Sequence, residues 1–201
     1  MKKIGLILGV ILGGILLCIL GTAIYLISVR NQLLRKSEDV KNAWAQVENQ
    51  YQRRLDLFSN LEQVAGAQLA QERSIFEMIT QARAAFAGAK TMDEKISTVN
   101  QYENQLSIAV GRIVALAESN PEIKSSDVIM QVIYSIESTQ NQVSTERRRY
   151  NDQVTEYNKM IKVFPNNIIA SLFGFKEEFK RYEAEPAALQ NPNINLNVPQ
   201  D

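Results

Sequence analysis

Apolar side chains recur along most of this 201-residue chain at alternating steps of four and three. That spacing marks helices that turn one seam toward a partner. From Val40 the steps run through Trp44, Val47, Tyr51, Arg54, Phe58, Leu61, Ala65, Gln68, Glu72, Ile75, Ile79 and Ala82 to Phe86. Only Arg54, Gln68 and Glu72 are polar there, and the pattern predicts one long helix over residues 40–86. A second run, Val99, Tyr102, Leu106, Ala109, Ile113 and Leu116, has no exception. A third extends from Ile129 through Ile133, Ile136, Gln140, Val143, Arg147, Tyr150, Val154, Tyr157 and Ile161 to Phe164, with Gln140 and Arg147 as its polar members.

Punctuation between the runs agrees with them. Gly88 offers a helix end, and Thr91 with Glu94 three residues later forms a capping box for the next helix. Asn120-Pro121 stops the second run, Ser125 or Ser126 caps the third, and Pro165 closes it. Such short connections require neighbouring helices to pack antiparallel. The expected fold is all-α: a long antiparallel helical bundle of coiled-coil character, with three long helices and a short fourth. The fourth, within "NNIIASLFGFKEEF", is expected to turn Ile168, Ile169, Leu172 and Phe173 to one side, as a cap on the bundle or as a patch for membrane or a partner. From Glu185 onward proline and asparagine dominate with little to bury, which predicts a disordered tail.

Ahead of the bundle the pattern changes altogether. Residues Ile4 to Val29 hold no charged side chain. As a helix this run spans roughly 39 Å, more than the ~30 Å of a bilayer's hydrocarbon core. A secretory leader's apolar region is shorter, about 7–15 residues. Leu17 precedes Cys18 where a lipid-attachment motif needs a small residue. The run is therefore read as an uncleaved single-pass anchor. The expected organisation is residues 1–29 as tail and anchor, 30–183 as bundle, and 184–201 as tail. Lys2 and Lys3 flank one end of the anchor, and Arg30, Arg35, Lys36 and Lys41 the other. Counting Lys and Arg leans slightly toward a cytoplasmic bundle, whereas a short charged tail before a long apolar run also fits an uncleaved signal that delivers its C-terminus outward, so the side stays open.

Removing Lys2 and Lys3 leaves 20 Lys+Arg against 22 Asp+Glu, a charge that offers no general attraction to nucleic acid. Histidine is absent and the single cysteine lies in the anchor, which excludes Ser-His-Asp and Cys-His arrangements and the usual zinc ligand sets. Only Gly66, Gly88, Gly111 and Gly174 lie outside the anchor, and none belongs to a phosphate-binding loop. Neither enzymatic activity, a cofactor, a metal nor a small-molecule substrate is expected.

Two sets of residues are candidates for binding. Gly5, Gly9 and Gly13 recur every four residues in the anchor, where a stripe without side chains lets another membrane helix approach closely. Arg54, Glu72, Gln140 and Arg147 occupy seam positions. Unpaired charge there costs several kcal/mol, so these groups should meet one another as a polar layer or face a partner protein.

The stretch "VKNAWAQVENQYQRRLDLFSNLEQV", with Ala43-Trp44, Arg53-Arg54, Asp56-Leu57 and Asn60-Leu61, resembles the signature of LemA family membrane proteins. The likeness continues in "AESNPEIKSS" and in "RRRYNDQVTEYNKMIKVFPNNIIASLFGF", with Tyr150-Asn151, Tyr157-Asn158 and Phe164-Pro165. Ser59 and Asn120 depart from it, standing where the family has proline and tyrosine. The resemblance implies a single-pass bacterial inner-membrane protein with a helical bundle and no catalytic group. Relatives take part in building magnetosome membranes. The expected function is a non-enzymatic scaffold or adaptor in the lipid bilayer, assembling with itself or with other membrane proteins. A sensor or signalling accessory is the alternative.

Overall fold

The computed structural model describes residues 2–69, 72–175 and 178–182, apart from the side-chain surroundings of residues 2–6, 8 and 10. The expected tail, residues 184–201, lies outside the described residues. Among the described residues the chain forms six helices and no strand: α1 (Lys2–Ala65), α2 (Arg73–Gly88), α3 (Met92–Ser119), α4 (Pro121–Lys124), α5 (Asp127–Lys162) and α6 (Asn166–Leu172).

α1 runs 64 residues without interruption from the apolar segment into the bundle. Its first part is long and apolar enough to cross a membrane, and its side chains are exposed from Ile11 to Tyr25. From Val29 onward one stripe becomes buried, with Leu33, Val40, Val47, Tyr51, Phe58 and Leu61 fully covered. Each such side chain contributes about 1.5–3 kcal/mol by leaving water. Trp44, 5% exposed, belongs to this core, as its place in the four-three seam implied.

The helix expected over residues 40–86 is divided. α1 ends at Ala65, and the chain turns before re-entering helix at Arg73. Gly66 accounts for the bend: a Cβ there would sit 2.5 Å from the Glu62 carbonyl oxygen, so the backbone passes where no other residue fits. The seam shifts by one residue in consequence. Leu69 is buried, and Gln68, which the four-three spacing assigned to the core, faces solvent.

α2 folds back antiparallel to α1, with Phe86 against Tyr51 (ring centroids 4.7 Å apart) and Arg83 Nη2 donating to the Leu55 carbonyl at 2.8 Å. α3 reverses again, and α5 returns along α1 to make the most extensive interface in the molecule. The caps lie where the sequence put them. Thr91 and Glu94 form a reciprocal capping box, and the Ser126 side chain accepts from the Ile129 N–H. Asn120 serves two helices: its N–H donates to the Leu116 carbonyl, ending α3, and its side chain accepts from Glu122 N–H, starting α4.

The bundle therefore has two parts. Farther from the apolar segment, α1, α2, α3 and α5 pack around one core of aliphatic and aromatic side chains. Nearer to it only α1 and α5 continue, and their exposed groove is filled by the extended segment 178–182 and by α6. α6 departs from the expected orientation. Ile169 and Ala170 point inward, whereas Ile168 and Leu172 face out, because adjacent positions on a helix lie about 100° apart. Phe164, at the end of the third seam, is 75% exposed for a related reason: α5 stops at Lys162, before the seam reaches it.

Candidate functional site

Arg54 is the largest fully buried side chain in the structure. Its Nη1 donates to Glu103 Oε1 of α3 at 3.1 Å and its Nη2 to Gln140 Oε1 of α5 at 3.5 Å. Gln140 in turn donates through Nε2 to Ser107 Oγ at 2.5 Å. Three helices are thereby tied in one plane through a charged group that none could bury alone. Glu103, absent from the four-three seam, completes the pair. It lies one residue after the seam position Tyr102, on the flank of α3 that meets Arg54.

The other two polar seam residues lie elsewhere. Glu72 accepts from Arg112 Nη2 at 2.7 Å, beside the bend that divides the first long segment. Arg147 lies over the Tyr182 ring, 4.6 Å from its centroid, and donates to Asn100 Oδ1 at 3.3 Å. The structure thus joins Arg54 with Gln140 but places Glu72 and Arg147 at two further points of the bundle. In the anchor, a Cβ added at Gly9 or Gly13 would meet nothing within 4 Å, and the surroundings of Gly5 fall outside the described residues.

The more specific arrangement was not anticipated. Asn151 and Asn158, one α5 helix face seven residues apart, each hold the backbone of the extended segment by a pair of hydrogen bonds. Asn158 Nδ2 donates to the Phe179 carbonyl at 3.0 Å, and its Oδ1 accepts from Phe179 N–H at 3.2 Å. Asn151 does the same for Tyr182, at 3.1 Å and 2.9 Å. A carboxamide presents one donor side and one acceptor side, so it replaces the neighbouring strand that an extended backbone otherwise needs. Tyr150 adds a hydrogen bond from its hydroxyl to the Lys180 carbonyl at 2.8 Å.

These bonds carry aromatic rings into the groove between α1 and α5. Tyr182 stacks on Trp44, with centroids 6.1 Å apart, and meets the edge of Tyr150 at 5.5 Å. Phe179 packs edge-on against Tyr157 at 5.0 Å. Burial holds the Tyr51, Tyr150 and Tyr182 phenols well above their usual range, so all three stay protonated and neutral in any physiological medium. The spacing of Tyr150-Asn151 and Tyr157-Asn158 was visible in the sequence, but only the folded chain reveals which backbone they hold.

Chemically, this is a site that holds and positions chain. Arg54 and the Tyr51, Tyr150 and Tyr182 rings are turned inward, and among the described residues no three carboxylate or thiol groups gather as metal ligands. A helical bundle continuous with an apolar helix of membrane-spanning length, closed by asparagines and aromatic rings, defines a membrane-associated helical protein. The model of the LemA family matches residues 43–196, and the chain belongs to that family. It is also similar to magnetosome protein MamQ 2 and magnetosome protein MamQ 1 of Paramagnetospirillum magneticum. Each is 27% identical over 188 residues, covering 82% of this chain and 69% of the relative. Magnetosome protein MamQ of Magnetospirillum gryphiswaldense is 24% identical with the same coverage.

Proposed function

We propose that this protein is a non-enzymatic scaffold or adaptor, held in a bacterial inner membrane by a single pass of α1 and assembling with further copies or with other membrane proteins. The observation that carries this reading is the continuity of α1. One helix serves as both membrane segment and central strut of the bundle, so anything bound to the bundle takes a fixed position relative to the bilayer. The complete burial of Arg54 supports its use as an internal polar layer, leaving assembly to exposed surfaces. Similarity to proteins named for the magnetosome, a membrane-bounded compartment, supports a structural role at membranes. The flanking positive charges favour, by a small margin, a bundle on the cytoplasmic side, which protease treatment of spheroplasts tests: protection of the bundle agrees, digestion reverses the side.

Gly9 and Gly13 are proposed as an anchor–anchor contact, since no atom of this chain occupies the space beside them. Crosslinking between copies in native membranes tests the assembly. Strong crosslinks are expected from the native chain and weaker ones from the Gly9→Leu, Gly13→Leu double variant, with insertion and helical content unchanged. A chain that crosslinks neither to itself nor to any membrane protein contradicts the scaffold reading.

A further inference from the structure

α6 sits at the level where the apolar segment ends. Its buried side, Ile169 and Ala170, packs on α1, where Val29 is only 4% exposed and Leu26 is partly covered. The Arg30 guanidinium lies over the Phe173 ring, 5.7 Å from the centroid. The opposite side of α6 is apolar as well. Ile168 and Leu172, four residues apart, are 60% and 70% exposed, and Phe164, in the turn that leads into the helix, is 75% exposed. On α1, in the turns just before Val29, Ile24 and Ile27 are exposed at 68% and 58%.

A helix this short, apolar on both sides, has no reason to turn two large side chains toward water next to an exposed phenylalanine in the turn before it. Its height resolves the conflict. A bilayer's hydrocarbon core takes up about 20 helical residues, so the 26 from Ile4 to Val29 exceed it by about six, or roughly 9 Å. That excess includes Ile24, Leu26, Ile27 and Val29, the part of α1 that flanks α6. Helices lying in the membrane interface bury their apolar face about 5–10 Å into the boundary between headgroups and acyl chains, which matches this depth.

We propose that α6 is an interfacial foot. It lays Phe164, Ile168 and Leu172 into the lipid surface beside the point where α1 emerges, with Arg30 at headgroup level. The occupant of this face is lipid. The bundle then touches the bilayer at two places, which fixes its tilt as well as its attachment. The proposal rests on α1 spanning the membrane, and its test separates the two ideas.

The full-length chain is reconstituted in phosphatidylcholine/phosphatidylglycerol nanodiscs holding one copy each. A nitrobenzoxadiazole fluorophore is attached in turn to native Cys18, and to Ile168→Cys, Leu172→Cys and Tyr134→Cys introduced on a Cys18→Ser background. Lipids with nitroxide at the headgroup or high on the acyl chain serve as quenchers. Interfacial burial predicts quenching of the 168 and 172 probes at least about twofold stronger than that of the 134 probe, which lies at the far end of α5. Strong quenching at 18 by acyl-chain nitroxide, with 168 and 172 no different from 134, overturns the foot and keeps the anchor. No quenching at 18 overturns both. Shielding of 168 that appears only in discs holding several copies assigns the face to protein contact and overturns the proposal.

Discussion

The half of the bundle far from the membrane segment and the half near it solve the same packing problem with different materials. In the far half four helices surround apolar seams, and burial of Phe58, Leu61, Ile79 and Ile133 is reciprocal: each helix covers the others. In the near half two helices leave a groove open along one side. That groove is closed by a few residues of extended chain whose rings fill it and whose backbone is held by asparagine side chains. Helices satisfy their own backbone hydrogen bonds, so additional helices need only an apolar stripe. An extended segment brings unsatisfied N–H and carbonyl groups with it. It enters a core only if the helices supply polar partners at the right spacing, and Asn151 and Asn158 supply them.

The sharpest way to break the comparison is to empty the near half. Trp44→Ala removes the ring on which Tyr182 stacks, and should lower stability by about 3–5 kcal/mol in denaturant titrations followed by circular dichroism. A loss much smaller than this means that the near half collapses around the gap and is not specifically packed. Next comes the far half's polar layer. Arg54→Leu leaves Glu103 without its partner and should cost about 2–3 kcal/mol, below the ~3–5 for a wholly buried pair, because the Glu103 side chain retains 14% exposure. Adding Glu103→Leu should recover most of that loss.

The asparagines give a smaller and more local effect. Asn158→Ala or Asn151→Ala removes two hydrogen bonds and should cost about 1–3 kcal/mol. Hydrogen exchange at Phe179 and Tyr182 should accelerate, while the amides of α2 and α3 keep their protection. Acceleration spread evenly over both halves contradicts the division drawn here.

The smallest effect belongs to the surface pair Lys36–Glu156, which links α1 to α5 in the near half. The hydrogen bond that Lys36 Nζ donates to the Glu156 carboxylate raises the Lys36 pKa above its ordinary value of 10.5. A raised lysine pKa stabilises the folded state fully below about pH 10.5 and loses that contribution as pH rises through the folded value. Both side chains are more than a third exposed, so Lys36→Met should cost only about 0–1 kcal/mol at neutral pH and low salt, and still less once pH has risen through the raised lysine pKa.

What the sequence made legible follows the same division. Helical periodicity located α3 and α5, capping residues located their starts, and Trp44 fell in the core. The bend at Gly66 was not legible, because seam-like spacing continues across it in Ala65, Ile75 and Ile79 and hides the missing turn. The extended segment escaped for another reason: five residues carry no periodicity, and their partners lie 21 to 31 positions away. Arg54 and Gln140 were recognisable as polar intruders in apolar seams, but their link through Glu103 depended on the mutual rotation of α1 and α3. The outward face of α6 was misjudged because isoleucine at both 168 and 169 gives no sign of which points in.

The length of α1 sets a distance. Residues 30–65 continue the membrane helix at about 1.5 Å each, so Ala65 stands roughly 54 Å beyond the end of the apolar run. Because no joint interrupts that interval, it behaves as a gauge. On the proposed reading, a partner bound at the far end of the bundle would be kept at one altitude above the lipid, and two copies side by side would hold their partners on a common plane.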